Sequence, residues 1–166
     1  MRKFNDKLPD NVRYPTPPPH PDGLRAYVYS DVSMSGDVRL VGHASTCFFS
    51  DDTHSAVWSA ALAKGHTTQF HEAQSAMRAV DFAQRQGAVI AHLWCDNLAV
   101  VTGIQTRQGV VEEWREFLGV TIPIRVRHIP GHGPLDSVHA RRHKFCDTRA
   151  RATLRKAIKE GWFENA

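Results

Sequence analysis

The sequence predicts an α/β fold in which a five-stranded mixed sheet is flanked by helices, in the chain order βββ-α-β-α-β-α. Three observations predict this fold. Alternating segments come first in the chain, apolar residues then recur at helical spacing between residues 67 and 87, and an almost wholly apolar run fills residues 88–95. Alternation is typical of half-buried strands, whereas a continuous apolar run is typical of a strand covered on both faces.

The composition is that of an ordinary globular protein. Of the 166 residues, 42% are hydrophobic and 23% are charged, so one domain can bury a core without disulfides. No apolar run approaches the roughly 20 residues that a membrane helix needs, and no signal-peptide core follows the N-terminus. The cysteines Cys47, Cys95 and Cys146 form no zinc or disulfide pattern. We therefore expect a cytoplasmic protein with no membrane partner.

The charge of the chain is weakly basic. A net charge of +4 at pH 7 would help to hold a nucleic acid, because Lys and Arg side chains neutralise phosphates. Many of the basic residues lie near the C-terminus: Arg141, Arg142, Lys144, Arg149, Arg151, Arg155, Lys156 and Lys159. This group is either a phosphate-facing stripe or, as is more usual, a solvated helix face.

Residues 1–23 are predicted to form a Pro-rich, loosely ordered N-terminal arm, and residues 24–166 the folded domain. Six of the nine prolines lie in the arm. Each proline lacks a backbone donor and biases the preceding residue toward extended geometry. A ligand for a polyproline-binding partner is the alternative interpretation of the arm.

Three strands are predicted at the start of the domain. Residues 25–31 alternate in polarity and place Asp31 on the same side as Tyr29. Two polar breaks separate this segment from further strands over residues 38–50 and 54–63. Such closely spaced strands predict an antiparallel meander.

A helix and a buried strand follow the meander. Thr67 and Thr68 can cap a helix that Gly87 ends, and Glu72 lies near its start at the flank of the apolar stripe. The apolar strand over residues 88–95 then ends directly before Asp96.

The remaining elements alternate between helix and strand. Residues 97–118 are predicted to be helical in two pieces broken near Gly109, and residues 121–129 to be a strand that Pro123 places at a sheet edge or at a strand start.

The last helix is predicted to run from about His139 or Phe145 to Glu160. Ala150 and Leu154 face the core in this helix, and Asp147 lies on the same side.

Four separated carboxylates are the candidate site: Asp31, Glu72, Asp96 and Asp147. Two of them lie where strands end, which is where ligand crevices form in α/β sheets, and two lie on inward-leaning helix faces. Each alone would be interpreted as a cap, a turn residue or a surface charge. Together they predict a shared site for Mg²⁺ or Mn²⁺, because buried carboxylates need a cation and these ions prefer oxygen ligands.

The four positions and their neighbours resemble the Asp-Glu-Asp-Asp set of type 1 ribonucleases H, whose element order is also βββ-α-β-α-β-α. The resemblance spans about residues 25–158. The matching segments are Tyr29-Ser30-Asp31-Val32-Ser33, Thr67-Thr68-Gln69-Phe70-His71-Glu72, Cys95-Asp96-Asn97, Pro130-Gly131-His132-Gly133 and Phe145-Cys146-Asp147-Thr148-Arg149-Ala150-Arg151. No single segment is specific, but their order and spacing together are.

The resemblance implies a hydrolase that cuts the RNA strand of RNA–DNA hybrids with two Mg²⁺ ions, Mn²⁺ being an alternative. Asp31 would bridge both ions, Asp147 would complete the site of the ion that activates water, and Glu72 with Asp96 would hold the other. His132 would assist proton transfer or product release.

The resemblance also implies which residues contact the substrate. Gln69 and Glu72 match positions that contact 2′-hydroxyl groups, the feature that distinguishes RNA from DNA. Ser33 and Asn97 belong to matching motifs and are expected to contact the nucleic acid as well.

The chain departs from the family pattern in three places. Val32 stands where a glycine is usual, Asp147 follows His132 by 15 positions, and the segment between Asp96 and His132 is too short for an extra basic helix. Three further histidines, His128, His139 and His143, match no zinc spacing and are interpreted as surface or substrate-side residues.

Two other functions compete with hybrid cleavage. One is a DNA nuclease of the same fold, such as a resolvase or an exonuclease. Transposases, a third kind of DNA nuclease with this fold, usually end the set with Glu, and the proofreading-type exonucleases begin it with Asp-x-Glu. This chain instead has Asp147 and Asp31-Val32-Ser33. The other is a non-catalytic module that binds nucleic acid or supports assembly. Such modules usually lose a carboxylate, and all four are present here. Protein partners stay unknown.

Overall fold

The computed structural model describes residues 23–37 and 39–162. Within these residues the chain forms five strands and four helices in the predicted order. They are β1 (Leu24–Met34), β2 (Leu40–Phe49), β3 (His54–Leu62), α1 (Thr68–Arg85), β4 (Ala88–Cys95), α2 (Leu98–Thr106), α3 (Val110–Leu118), β5 (Ile124–His128) and α4 (Val138–Lys159). The predicted N-terminal arm, apart from residue 23, lies outside the described residues.

The strands form one mixed sheet in the order β3-β2-β1-β4-β5. The pairs β1–β2 and β2–β3 are antiparallel, and the pairs β1–β4 and β4–β5 are parallel. The predicted meander and mixed sheet are thereby confirmed. β5 is an edge strand and Pro123 directly precedes it, as expected of a residue without a backbone donor.

The two faces of the sheet are covered by different helices. On one face Ala26 and Val28 belong to a buried cluster that includes residues of α1, α2 and α3. On the other face Tyr27, Tyr29 and Trp94 pack against α4. The alternation of β1 therefore sends Asp31, two positions after Tyr29, toward α4.

Close packing holds α4 against β2. A Cβ atom built on Gly42 would overlap the backbone carbonyl oxygen of Ala150 in α4. Only glycine permits this approach of helix and strand. The contact fixes the height of α4 above the sheet, and with it the position of Asp147, one turn before Ala150.

The helix boundaries agree with the predicted caps. The Thr67 hydroxyl accepts a hydrogen bond from the backbone N–H of Phe70, and Gly87 has a positive φ of 96° just beyond α1. The break between α2 and α3 contains Gly109, with φ of 82°. No helix in the described part of the chain combines the length and apolar character needed to cross a membrane.

Candidate active site

Parallel pairing brings Asp31 and Asp96 to the same edge of the sheet. Tyr29 in β1 pairs with Trp94 in β4, and each carboxylate lies two positions further along its chain. Asp31 is only 4% exposed, and one carboxylate oxygen accepts a hydrogen bond of 2.9 Å from the backbone N–H of Val32. The side chain of Asp96 is 23% exposed. One carboxylate is therefore enclosed, and its neighbour is accessible from solvent.

Glu72 reaches the same place from α1. It is 4% exposed, and its carboxyl group lies within hydrogen-bonding reach of Asp31. The Oε2 atom of Glu72 is buried and has no hydrogen-bond partner among the described residues. A buried carboxylate oxygen without a donor is costly, so this position suits a cation or a proton.

The burial of these carboxyl groups changes their acidity. Burial, followed by the negative charge of Asp96, raises the pKa of Asp31 from its ordinary 3.8 to about 7. Burial, followed by the charge of Asp31, raises the pKa of Glu72 well above its ordinary 4.5. The Asp31–Glu72 pair therefore retains a proton near neutral pH unless a cation compensates its charge.

Among the residues that the structure describes, two groups of side chains could hold a metal ion. Asp31, Asp96 and His143 form one group, and Glu72, Cys95 and Asp96 form the other, with the ligand atoms of each group all within 4.8 Å of one another. Asp96 belongs to both groups. The unpartnered Glu72 oxygen and the carboxylate-rich donor set fit a divalent cation such as Mg²⁺ or Mn²⁺.

Asp147 lies on the core-facing side of α4, as predicted, but both of its oxygens are paired. It is 7% exposed, with Oδ2 3.1 Å from Nζ of Lys144 and Oδ1 3.0 Å from Nε of Arg151. Its charge still raises the pKa of Asp31. Asp147 thus lies near the other three carboxylates but belongs to neither of the two possible metal groups.

The loop that carries His132 lies against Asp96. His132 itself is exposed. Its neighbour Gly131 is so close to the site that an added Cβ atom would lie 2.6 Å from Oδ2 of Asp96. At the end of β5, Nε2 of His128 lies 3.1 Å from the backbone carbonyl oxygen of Asp96. The sequence motif therefore lies beside the carboxylates even though His132 points to solvent.

The three predicted substrate contacts lie around the same edge. Gln69 is exposed in the first turn of α1, and Ser33 is half-buried on β1, two positions after Asp31. The side-chain oxygen of Asn97 accepts a hydrogen bond from the backbone N–H of Val100 and so caps α2. The N–H groups of the Asn97 amide can donate to a ligand.

Two of the three histidines that were expected to be surface or substrate-side residues do not lie at the surface. His128 is exposed as expected, but His139 and His143 are 3% and 2% exposed. His139 stacks on Trp94, with ring centroids 3.9 Å apart. Both rings share the face of α4 that carries Asp147, because the three residues follow at intervals of four. That spacing was visible in the sequence and could have identified them.

His143 is the main addition to the predicted site. Its Nε2 atom lies 3.9 Å from Oδ1 of Asp96 and has no hydrogen-bond partner among the described residues. Burial lowers the pKa of His143 below its ordinary 6.5, although the charges of Asp96 and Asp147 act in the opposite direction. The imidazole is therefore neutral at pH 7 and its contact with Asp96 is not an ion pair.

The basic residues of α4 have several different roles. Arg142 lies 4.0 Å from the centroid of the Phe48 ring, and Arg149 lies 4.4 Å from that of Trp58. Lys144 and Arg151 pair with Asp147. The basic C-terminal group is thus neither a single stripe nor a uniformly solvated face.

Comparison with solved structures gives clear matches, whereas the two sequence comparisons give none. No protein-family model and no curated protein sequence matches this chain. The N-terminal RNase H domain of a Mycobacterium tuberculosis protein, solved as a fusion with maltose-binding protein, aligns with a TM-score of 0.66 and 17% identity, covering 83% of this chain and 99% of that chain.

Two further structures have the same architecture. RNase H1 from the halophilic archaeon Halobacterium salinarum aligns with a TM-score of 0.59 and 15% identity, over 82% of this chain and 99% of that chain. LC11-RNase H1, in complex with an RNA/DNA hybrid, aligns with a TM-score of 0.61 and 13% identity, over 80% of this chain and 99% of that chain. The chain therefore has the ribonuclease H-like fold that its element order predicts.

Proposed function

We propose that this chain, which has the ribonuclease H-like fold, is a metal-dependent endonuclease that hydrolyses the RNA strand of RNA–DNA hybrids. The observation that carries the proposal is the buried Glu72 Oε2 atom, which has no partner among the described residues and faces a set of carboxylates. A site of this kind is costly for the fold unless it binds a cation. A role in binding divalent cations accounts for that cost.

Asp31, Glu72 and Asp96 would hold the cations, two Mg²⁺ ions or two Mn²⁺ ions. When bound, such ions act as Lewis acids that stabilise the attacking and leaving oxygens of a phosphodiester displacement. The protein residues contribute charge and position. Asp31 and Glu72 provide buried oxygens on rigid elements, and the half-buried Asp96 lies where a phosphate can approach.

Proton transfer is assigned to His132. Its exposed ring is on a loop whose neighbouring residue, Gly131, contacts Asp96. An imidazole at this place can accept a proton from water or deliver one to the leaving oxygen. Because the ring is exposed, we expect it to assist the reaction rather than to be essential.

The hybrid substrate is supported by the residues at the start of α1. Gln69 presents an exposed amide that can both donate to and accept from a 2′-hydroxyl group. Ser33 and the amide of Asn97 lie at the ends of β1 and β4, where they can contact the phosphate backbone. LC11-RNase H1, which shares the fold, has been solved with an RNA/DNA hybrid.

The proposal is tested by incubating the full chain with end-labelled RNA–DNA hybrid, duplex RNA and duplex DNA, in Mg²⁺, in Mn²⁺ and in EDTA. Asp96→Asn is the matched control because it keeps the size of the side chain and removes one charge. We expect cutting of the RNA strand of the hybrid by the unaltered chain, with none in EDTA and none by the variant.

The other outcomes identify the competing functions. Cleavage of duplex DNA alone would favour the DNA nuclease of the same fold. Tight binding of nucleic acid without cleavage in either metal would favour the non-catalytic module, and the ion pairs that occupy Asp147 would then explain the lack of activity.

A further inference from the structure

His143 is a buried side chain with an unused nitrogen that points into the carboxylate cluster. It is 2% exposed, and its Nε2 atom is buried without a hydrogen-bond partner among the described residues. The nearest carboxylate oxygen, Oδ1 of Asp96, is 3.9 Å away. This distance is too long for a hydrogen bond and leaves room for an ion that contacts both atoms.

The geometry of α4 places His143 where Asp147 was expected to act. The two residues are four positions apart and share one helix face. Both oxygens of Asp147 are engaged by Lys144 and Arg151 of the same helix. The Nε2 atom of His143, by contrast, forms a group with oxygens of Asp31 and Asp96 in which all atoms lie within 4.8 Å.

The surroundings of the ring favour a ligand role. The backbone of Ser30 lies within hydrogen-bonding reach of the imidazole, and since Nε2 has no partner, that contact belongs to the other ring nitrogen. Histidines that bind metals almost always donate their second N–H to a carbonyl or carboxylate, which fixes the ring and leaves one lone pair for the ion.

We propose that His143 is a nitrogen ligand of the cation held by Asp31 and Asp96, and that this site selects a first-row transition ion such as Mn²⁺ over Mg²⁺. An imidazole suits transition ions, whereas Mg²⁺ prefers an all-oxygen shell. The inference deepens the proposed function, on which it rests, by naming the ion that the site prefers.

The test is pulsed electron paramagnetic resonance of Mn²⁺ bound to the full chain. Imidazole coordination gives a ¹⁴N coupling to the electron spin that carboxylate and water ligands do not give. We expect this coupling in the unaltered chain and its loss in His143→Asn. The variant should also bind Mn²⁺ at least about tenfold more weakly, while its Mg²⁺ affinity changes less, because asparagine still offers an oxygen.

His128→Asn and His132→Asn are the matched controls, since both histidines lie close to Asp96 in the fold but are exposed. Each should retain the ¹⁴N coupling. If His143→Asn does not fold, the double variant His128→Asn/His132→Asn decides the question, because retained coupling then supports His143. Absence of the coupling in the unaltered chain, or its persistence in folded His143→Asn, would overturn the inference.

Failure of this inference can be separated from failure of the proposed function. Coupling without cleavage of any nucleic acid supports the His143 site and counts against nuclease activity. Cleavage of the hybrid without the coupling supports the nuclease and overturns the ligand role of His143.

Discussion

Replacing Asp31 with asparagine is expected to stabilise the metal-free protein above neutral pH. The pKa of Asp31 rises from 3.8 to about 7 on folding, and each unit corresponds to about 1.4 kcal/mol, so ionising this buried group costs the fold about 4 kcal/mol at most. Glu72 shares the proton, which reduces the part that Asp31→Asn recovers. We expect a gain of about 2 to 4 kcal/mol in the free energy of unfolding near pH 8.

The pH dependence of this gain follows from the direction of the pKa shift. A group whose pKa is raised on folding stabilises the fold fully below its unfolded pKa, and that contribution is lost as the pH rises through the folded pKa. The difference in the free energy of unfolding between Asp31→Asn and the unaltered chain should therefore be small near pH 4. It should increase between about pH 4 and 7 and become constant near pH 8.

The assay is urea unfolding in EDTA, followed by tryptophan fluorescence at several pH values. Asp136→Asn, at an exposed position in the loop before α4, is the control and should change stability by less than about 0.5 kcal/mol. Saturating Mn²⁺ should offset most of the gain, since a cation at 100 times its Kd stabilises the unaltered chain by about 2.7 kcal/mol. If metal-free Asp31→Asn were no more stable than the unaltered chain near pH 8, the buried charge of Asp31 would not destabilise the fold as we expect.

Three further changes test how the fold positions the site. Gly42→Ala should push α4 away from β2 and lower the free energy of unfolding, measured in urea, by about 1 to 3 kcal/mol. An unchanged free energy of unfolding would contradict the close contact between Gly42 and Ala150. Gly131→Ala should displace either the loop or the carboxylate of Asp96. Hybrid cleavage should then slow by about 10- to 100-fold with little change in melting temperature. Undiminished cleavage would count against the close contact between Gly131 and Asp96. Thr67→Ala removes the cap of α1 and should cost about 1 kcal/mol, whereas Thr67→Ser should cost less. Equal stability of the two variants would mean that the cap hydrogen bond contributes nothing.

Much of the fold, and the positions of Asp31, Glu72 and Asp96, could be predicted because they depend on local sequence patterns. The alternation of residues 25–31 and the apolar run over residues 88–95 placed Asp31 and Asp96 at strand ends, and parallel pairing of β1 with β4 brought them together. Periodicity placed Glu72 at the start of α1, beside the apolar stripe. These properties depend on short stretches of sequence and on the regular geometry of strands and helices.

The remaining features depend on which face of a helix the sheet covers. Because the spacing of His128, His139 and His143 matches no zinc pattern, the sequence predicts only surface or substrate-side positions for them. His139 is buried because it stacks on Tyr29 and Trp94, a tertiary contact between segments far apart in the chain. The pairing of Asp147 was, in contrast, available from spacing, since Lys144 and Arg151 lie three positions before and four positions after it.

The central claim is that the carboxylate cluster binds divalent cations in order to cut nucleic acid. The most direct test compares single-turnover cleavage of an RNA–DNA hybrid by the unaltered chain and by Asp31→Asn across a Mn²⁺ titration at about pH 8. The account predicts saturable, Mn²⁺-dependent cutting of the RNA strand by the unaltered chain, and a variant that folds but does not cut at any concentration. Equal cutting by both proteins, or cutting by the unaltered chain that persists in EDTA, would contradict it.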